Sequence, residues 1–139
     1  MEFANINYLA VLVGGIAAFA LGSLWYTALF GKAWQRLLEL SDEKMKSGSI
    51  AVTMVSSFVL MTIMSFGLAI LIQGHSNPDS EVGTLSGLYH GLIIGAVFVG
   101  MSVGINYLYQ RRSIKLWLID AGYQILFLGI QGAILGAWQ

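Results

Sequence analysis

LGSLWYTALFGKAW, residues Leu21 to Trp34, decides how this chain is read. An apolar run reaches a Trp-Tyr pair and stops at Gly31-Lys32. Traced backwards, Ile6–Phe30 carries no charged residue. A helix needs about 20 such residues to cross the hydrocarbon core of a bilayer. Trp25-Tyr26 is then either an interface anchor or part of a polar site near one end of a span.

The rest of the chain repeats the pattern. Of its 139 residues, 57% are hydrophobic and 10% charged. Soluble domains carry about a quarter charged residues, enough to cover a wet surface, and this chain does not. Three further apolar stretches match the first in length: Ile50–Gln73, Thr84–Tyr107 and Ile114–Trp138. They are apolar all round, so periodicity does not assign them. Length, and the need to satisfy every backbone group within lipid, assign them to helices. The expected fold is all-α: one transmembrane domain over residues 1–139, a four-helix integral membrane bundle.

The cations give an orientation. Lys32, Arg36, Lys44 and Lys46 fall between the first and second spans, and Arg111, Arg112 and Lys115 between the third and fourth. All seven lie on one side, which the positive-inside rule makes cytoplasmic, with both termini outside. The first span lacks a basic leader and carries Glu2, so it reads as a span and not as a signal peptide.

In the first cytoplasmic connection, Trp34, Leu37 and Leu38 share one helical face and Lys32, Arg36 and Glu39 the other. This pattern predicts a short amphipathic helix in the headgroup plane. Ser41 before Asp42-Glu43 predicts a second helical start. The turn-rich stretch Gly74–Gly83 holds the only Pro; its His75, Asp79 and Glu81 are too few for a metal site. Cys is absent, and the zero net charge offers no attraction for nucleic acid.

Small residues form ridges that permit close helix approach in membranes. Ala10, Gly14, Ala18 and Gly22 repeat every four residues. Gly83, Gly87, Gly91 and Gly95 do the same, followed by Gly100 and Gly104. Gly122, Gly129 and Gly136 repeat every seven. Three ridges exceed what one bundle is expected to use, which points to a homo-oligomer or a larger membrane complex.

Polar residues sort by depth. At 1.5 Å per residue, Asp120 lies roughly 8 Å inside Lys115, and Trp25-Tyr26 about 9–11 Å inside Lys32. A carboxyl group there needs donors. The predicted inner cluster is therefore Trp25, Tyr26, Asn106, Asp120, Tyr123 and Gln124. Asp120, Gln124 and Gln131 fall within about 40° on one helix face. His90 and Gln131 form a candidate outer pair.

The motifs LWY…FGKAW, SDEKM, NYLY, LIDAGYQ and GAILGAW resemble the domain of unknown function 1761 family over almost the whole chain. The resemblance implies a small, four-helix, mostly bacterial membrane protein, and hence the bacterial cytoplasmic membrane. It names no activity and no cofactor. Relatives often carry Pro after the WY-Ser/Thr step, where this chain has Ala28.

No nucleophile–base pair, paired carboxylates or metal cluster stands out, so enzymatic chemistry is not expected. The expected role is an accessory or scaffold subunit in contact with membrane lipid. The rival reading is a small-solute or ion-coupled transporter using Asp120 and the inner aromatics.

Overall fold

In the computed structural model, described over residues 3–75 and 83–138, every regular element is helical. The turn-rich stretch between the second and third spans lies largely outside the described residues, with Asp79, Glu81 and the side chain of His75.

The first span is α1 (Tyr8–Leu24) continued by a π-helical turn, Trp25–Leu29. Asn7 caps its start, its side chain accepting from the Ala10 amide at 3.0 Å. Two short helices follow, α2 (Gly31–Leu37) and α3 (Asp42–Met45). Ser41 caps α3 by accepting from the Lys44 amide, and Asp42 and Glu43 stand in its first turn, where they complement the helix dipole. The second span is α4 (Ile50–His75). The third is α5 (Thr84–Ile93), a π-helical stretch (Ile94–Gly100) and α6 (Met101–Tyr109). The fourth is α7 (Ile114–Ala137), capped by Ser113, which accepts from Leu116 N–H at 3.1 Å.

All four spans are long and apolar enough to cross a membrane. Their outward faces carry Leu12, Ile16, Val55, Leu60, Ile93 and Phe98, all well exposed. Such a surface suits lipid, which asks only that backbone groups be paired within the helices. The two connections bearing the seven cations share one end of the bundle, called here the cationic end. At the other end the Asn7 side-chain N–H donates to the Trp138 carbonyl at 2.9 Å, tying the first span to the end of the last.

The centre is α7. It packs against α1, α4 and the whole third span, while α4 and α5 barely meet. Glycine explains how one helix serves three neighbours. A Cβ on Gly87 would run into the Gly132 carbonyl, and one on Gly91 into the Leu128 carbonyl. A Cβ on Gly95 would stand 2.8 Å from the Ile125 Cα. Here α5 and α7 touch backbone to backbone. On α1, Gly15 lies against Thr62 of α4, and Gly14 against Ser65. Gly22 leaves room for the Tyr123 ring, whose hydroxyl oxygen a Cβ would meet at 2.7 Å.

The three ridges therefore find partners within one chain. The α5 ridge and the glycines of α7 are two sides of one contact, which the expectation of crowding missed. Gly122 belongs to a different contact, 3.3 Å from the Trp25 ring if given a Cβ, and Gly132 replaces it opposite α5. Ridge crowding gives no reason for self-association.

The third-span ridge repeats at four residues except between Gly95 and Gly100, where it takes five. The π-helical stretch lies there. Its i→i+5 bonding absorbs one extra residue, so Gly100 and Gly104 continue on the α7-facing side.

Candidate functional site

At the cationic end the first span needs to place two large neighbours against the same helix. The widened turn Trp25–Leu29, closed by a 2.8 Å bond from the Phe30 N–H to the Trp25 carbonyl, does this without a proline. Trp25 donates its indole N–H to the Ile119 carbonyl at 3.0 Å. Tyr26 donates its hydroxyl to Asp120 Oδ1 at 2.6 Å. The opening pair is thus docked on α7 and does not stand free in lipid.

The other carboxylate oxygen, Oδ2, accepts from the Tyr107 hydroxyl of α6. Asn106, the donor expected from α6, is exposed. Tyr107 lies three residues beyond Gly104, on the ridge face that meets α7; Asn106 lies only two beyond and points away. The ridge was the available signal, and the choice of an amide by chemistry alone overlooked it. Tyr123 packs its ring on Tyr26 at 5.3 Å and on Trp25 at 6.4 Å. Its hydroxyl turns from Asp120 and donates to the Ala18 carbonyl at 2.8 Å. Gln124 is half-buried and makes no side-chain hydrogen bond among the described residues.

From below, α2 closes on this group. Trp34 meets the Tyr26 ring edge-on at 5.4 Å. Trp34, Leu37 and Leu38 are half-buried, whereas Lys32, Arg36 and Glu39 are exposed. Gln35 holds the turn after α2, donating to the Leu40 carbonyl and to Asp42 Oδ1.

Between α2, the start of α4 and the α6–α7 turn lies an open cavity of about 710 Å³. Asp120, Tyr26 and Tyr107 form one wall and Trp34 and Leu38 another; Thr53 and Ser57 reach it from α4, and Gln110 and Arg112 from the turn. The first turns of α4, residues 50–56, are exposed throughout, which leaves this side open. Among the described residues no cation forms an ion pair with Asp120. Two O–H donors stabilise its charge, and a carboxylate with about four acceptor positions keeps capacity for a further donor from the cavity.

The outer pair does not join in the bonds seen here. His90 Nδ1 lies 2.7 Å from the Ser86 carbonyl of its own helix. Gln131 donates its amide to the carbonyls of Gly14 at 3.2 Å and Met61 at 3.0 Å, locking α7 to α1 and α4. Beside it, Ser65 Oγ and Gln131 Oε1 are buried and unpartnered.

Four apolar spans, three of them packed around the fourth, with an intramembrane carboxyl group near one end, define the class: a small polytopic helical membrane protein. The family described as "Protein of unknown function (DUF1761)" matches residues 9–136, and the chain belongs to it. Comparison with curated proteins and with solved structures returns no match.

Proposed function

We propose that this protein is a membrane carrier component that admits a small cation, a proton included, to the Asp120 cavity from the cationic end. One observation carries the reading: a carboxylate gripped by the Tyr26 and Tyr107 hydroxyls on the wall of an open cavity, with no paired cation among the described residues. Ionisable groups in membrane spans are costly and mark ion or substrate routes. The rings of Trp34 and Tyr26 on the cavity wall favour an organic cation by cation–π attraction. The reading is non-enzymatic. It takes the cationic end as cytoplasmic and both termini as external, in a bacterial cytoplasmic membrane, on the positive-inside rule and the family resemblance.

Proteoliposomes on a solid-supported membrane test it. Jumps of pH, sodium or methylammonium should give a transient current in the wild type for at least one of the three. Asp120→Asn keeps an acceptor for one tyrosine hydroxyl and turns an N–H donor to the other, so it should fold normally, yet lose that current. Silence to all three, or an undiminished current in Asp120→Asn, rejects the proposal.

A second reading keeps the accessory or scaffold role, through a homo-oligomer or a larger complex. Its support is the uncovered start of α4, where Val52, Met54 and Val55 are exposed beside the cavity. A partner helix laid there would close the site. Mass photometry in nanodiscs separates the two: a lone monomer carrying the current leaves no part for a partner.

A further inference from the structure

Tyr107 has a second side. Across its ring from the Asp120 cavity lies an apolar groove of about 480 Å³ between α6 and α7, lined by Met101, Gly104, Ile105, Leu108 and Trp117. Gly104 makes the groove possible, because a Cβ there would stand 2.9 Å from the Trp117 indole nitrogen. The indole instead lies flat enough on α6 to donate to the Gly100 carbonyl at 2.9 Å, so its polar atom is satisfied and its rings are left as lining. Met101, Ile105 and Leu108 are all exposed, so the groove opens sideways, where a membrane span meets lipid.

The mouth is built for a negative group. Arg112 and Ser113 line it. The Arg112 guanidinium is fixed from two sides: its Nε–H donates to Gln110 Oε1 at 2.7 Å, and Cζ lies 5.5 Å from the centre of the Tyr107 ring. The terminal N–H groups stay available for an oxyanion. Arg111 and Lys115 flank it, and no Asp or Glu occurs between Met101 and Ile119. The first N–H groups of α7 emerge at the same place, where a helix favours phosphate. Beside α6, from Tyr109 back to Met101, the groove has about 12 Å at helical rise, which suits part of an acyl chain lying beside the helix.

We propose that this groove is a binding site for an anionic phospholipid of the leaflet at the cationic end, its phosphate on Arg112 and one acyl chain over Gly104 against Trp117. Arg112 at the mouth, with Arg111 and Lys115 beside it in sequence, selects an anionic headgroup over a zwitterionic one, each basic side chain at the surface contributing roughly fivefold. The two sites share Tyr107 and Arg112, but Asp120 lines the cavity and not the groove, so the loss of the cation and the loss of the lipid are read separately.

Native mass spectrometry from neutral detergent tests it, with phosphatidylglycerol and phosphatidylcholine of identical chains as probes. The wild type should hold one phosphatidylglycerol in preference to phosphatidylcholine. Arg112→Gln should lower that preference roughly fivefold. Met101→Trp, which fills the groove without touching charge, should weaken both lipids. Asp120→Asn should leave the preference unchanged. Equal retention of the two lipids by the wild type overturns the proposal, as does an intact preference in Arg112→Gln. If Met101→Trp binds both lipids as the wild type does, the headgroup alone is held and the groove assignment falls.

Discussion

Near the termini, the third and fourth spans meet backbone to backbone: Gly87 lies on the Gly132 carbonyl and Gly91 on that of Leu128. Near the cationic end, the same two spans are held apart by rings. Trp117 reaches across to the Gly100 carbonyl, and Tyr107 reaches back to Asp120. Close approach leaves no space and needs no polar side chain. Separation leaves a groove on one side of Tyr107 and a cavity on the other. One helix pair thus provides a rigid clamp at one end and binding space at the other, the difference lying in where glycine faces glycine and where it faces an aromatic ring.

The largest effect is expected at the clamp. Gly91→Leu forces a side chain into the Leu128 carbonyl and should cost at least about 3 kcal/mol, at or above the usual range for overpacking, read as lost folded protein in detergent. Gly67→Ala is the contrast, because nothing lies within 4 Å of its added Cβ. It should be neutral, or stabilising by up to about 1 kcal/mol, in the same thermal-unfolding assay. Equal damage from both substitutions would break the comparison.

At the ring end the expected losses are smaller. Asp120→Leu removes the acceptor for two tyrosine hydroxyls and should cost about 1–3 kcal/mol, tempered by the open cavity. Asp120→Asn should stay within about 1 kcal/mol of wild type in unfolding. Trp25→Phe loses the indole bond to Ile119 and the outer ring atoms that lie against Gly122, about 1–2 kcal/mol together. The smallest change is expected at Ser65, whose buried hydroxyl has no partner. Ser65→Ala should raise stability slightly or leave it unchanged; a loss above about 1 kcal/mol would mean that the hydroxyl is hydrogen-bonded in the membrane.

Much of the fold was legible because bilayer thickness imposes a length on every span. Lys32 and Lys115 served as depth markers, so Tyr26 and Asp120, placed at one level by counting, lie within a hydrogen bond of each other. Ser41 and the amphipathic face of α2 were legible because local chemistry determines them. What counting did not supply was rotation. Asn106 and Tyr107 have nearly the same depth and differ by about 100° around the helix. Only the identity of the facing span decides between them. That identity depends on pairing the α5 ridge with α7, whereas counting ridges alone treats them as competing for space. Depth likewise offers His90 and Gln131 as a candidate pair, whereas rotation turns the Gln131 amide to the Gly14 and Met61 carbonyls.

The five-residue step from Gly95 to Gly100 also bears on how the span tolerates changes in length. Losing one residue between the Gly87 contact and Tyr107, outside that step, turns everything beyond it by about 100° and carries Tyr107 away from Asp120. Losing one between Gly95 and Gly100 leaves a four-residue step, which an ordinary helical turn accommodates with the ridge still facing α7. A scan of single-residue deletions, scored by folded yield, should therefore find a permissive window over residues 96–99, set between damaging deletions on either side, over residues 88–95 and 100–106.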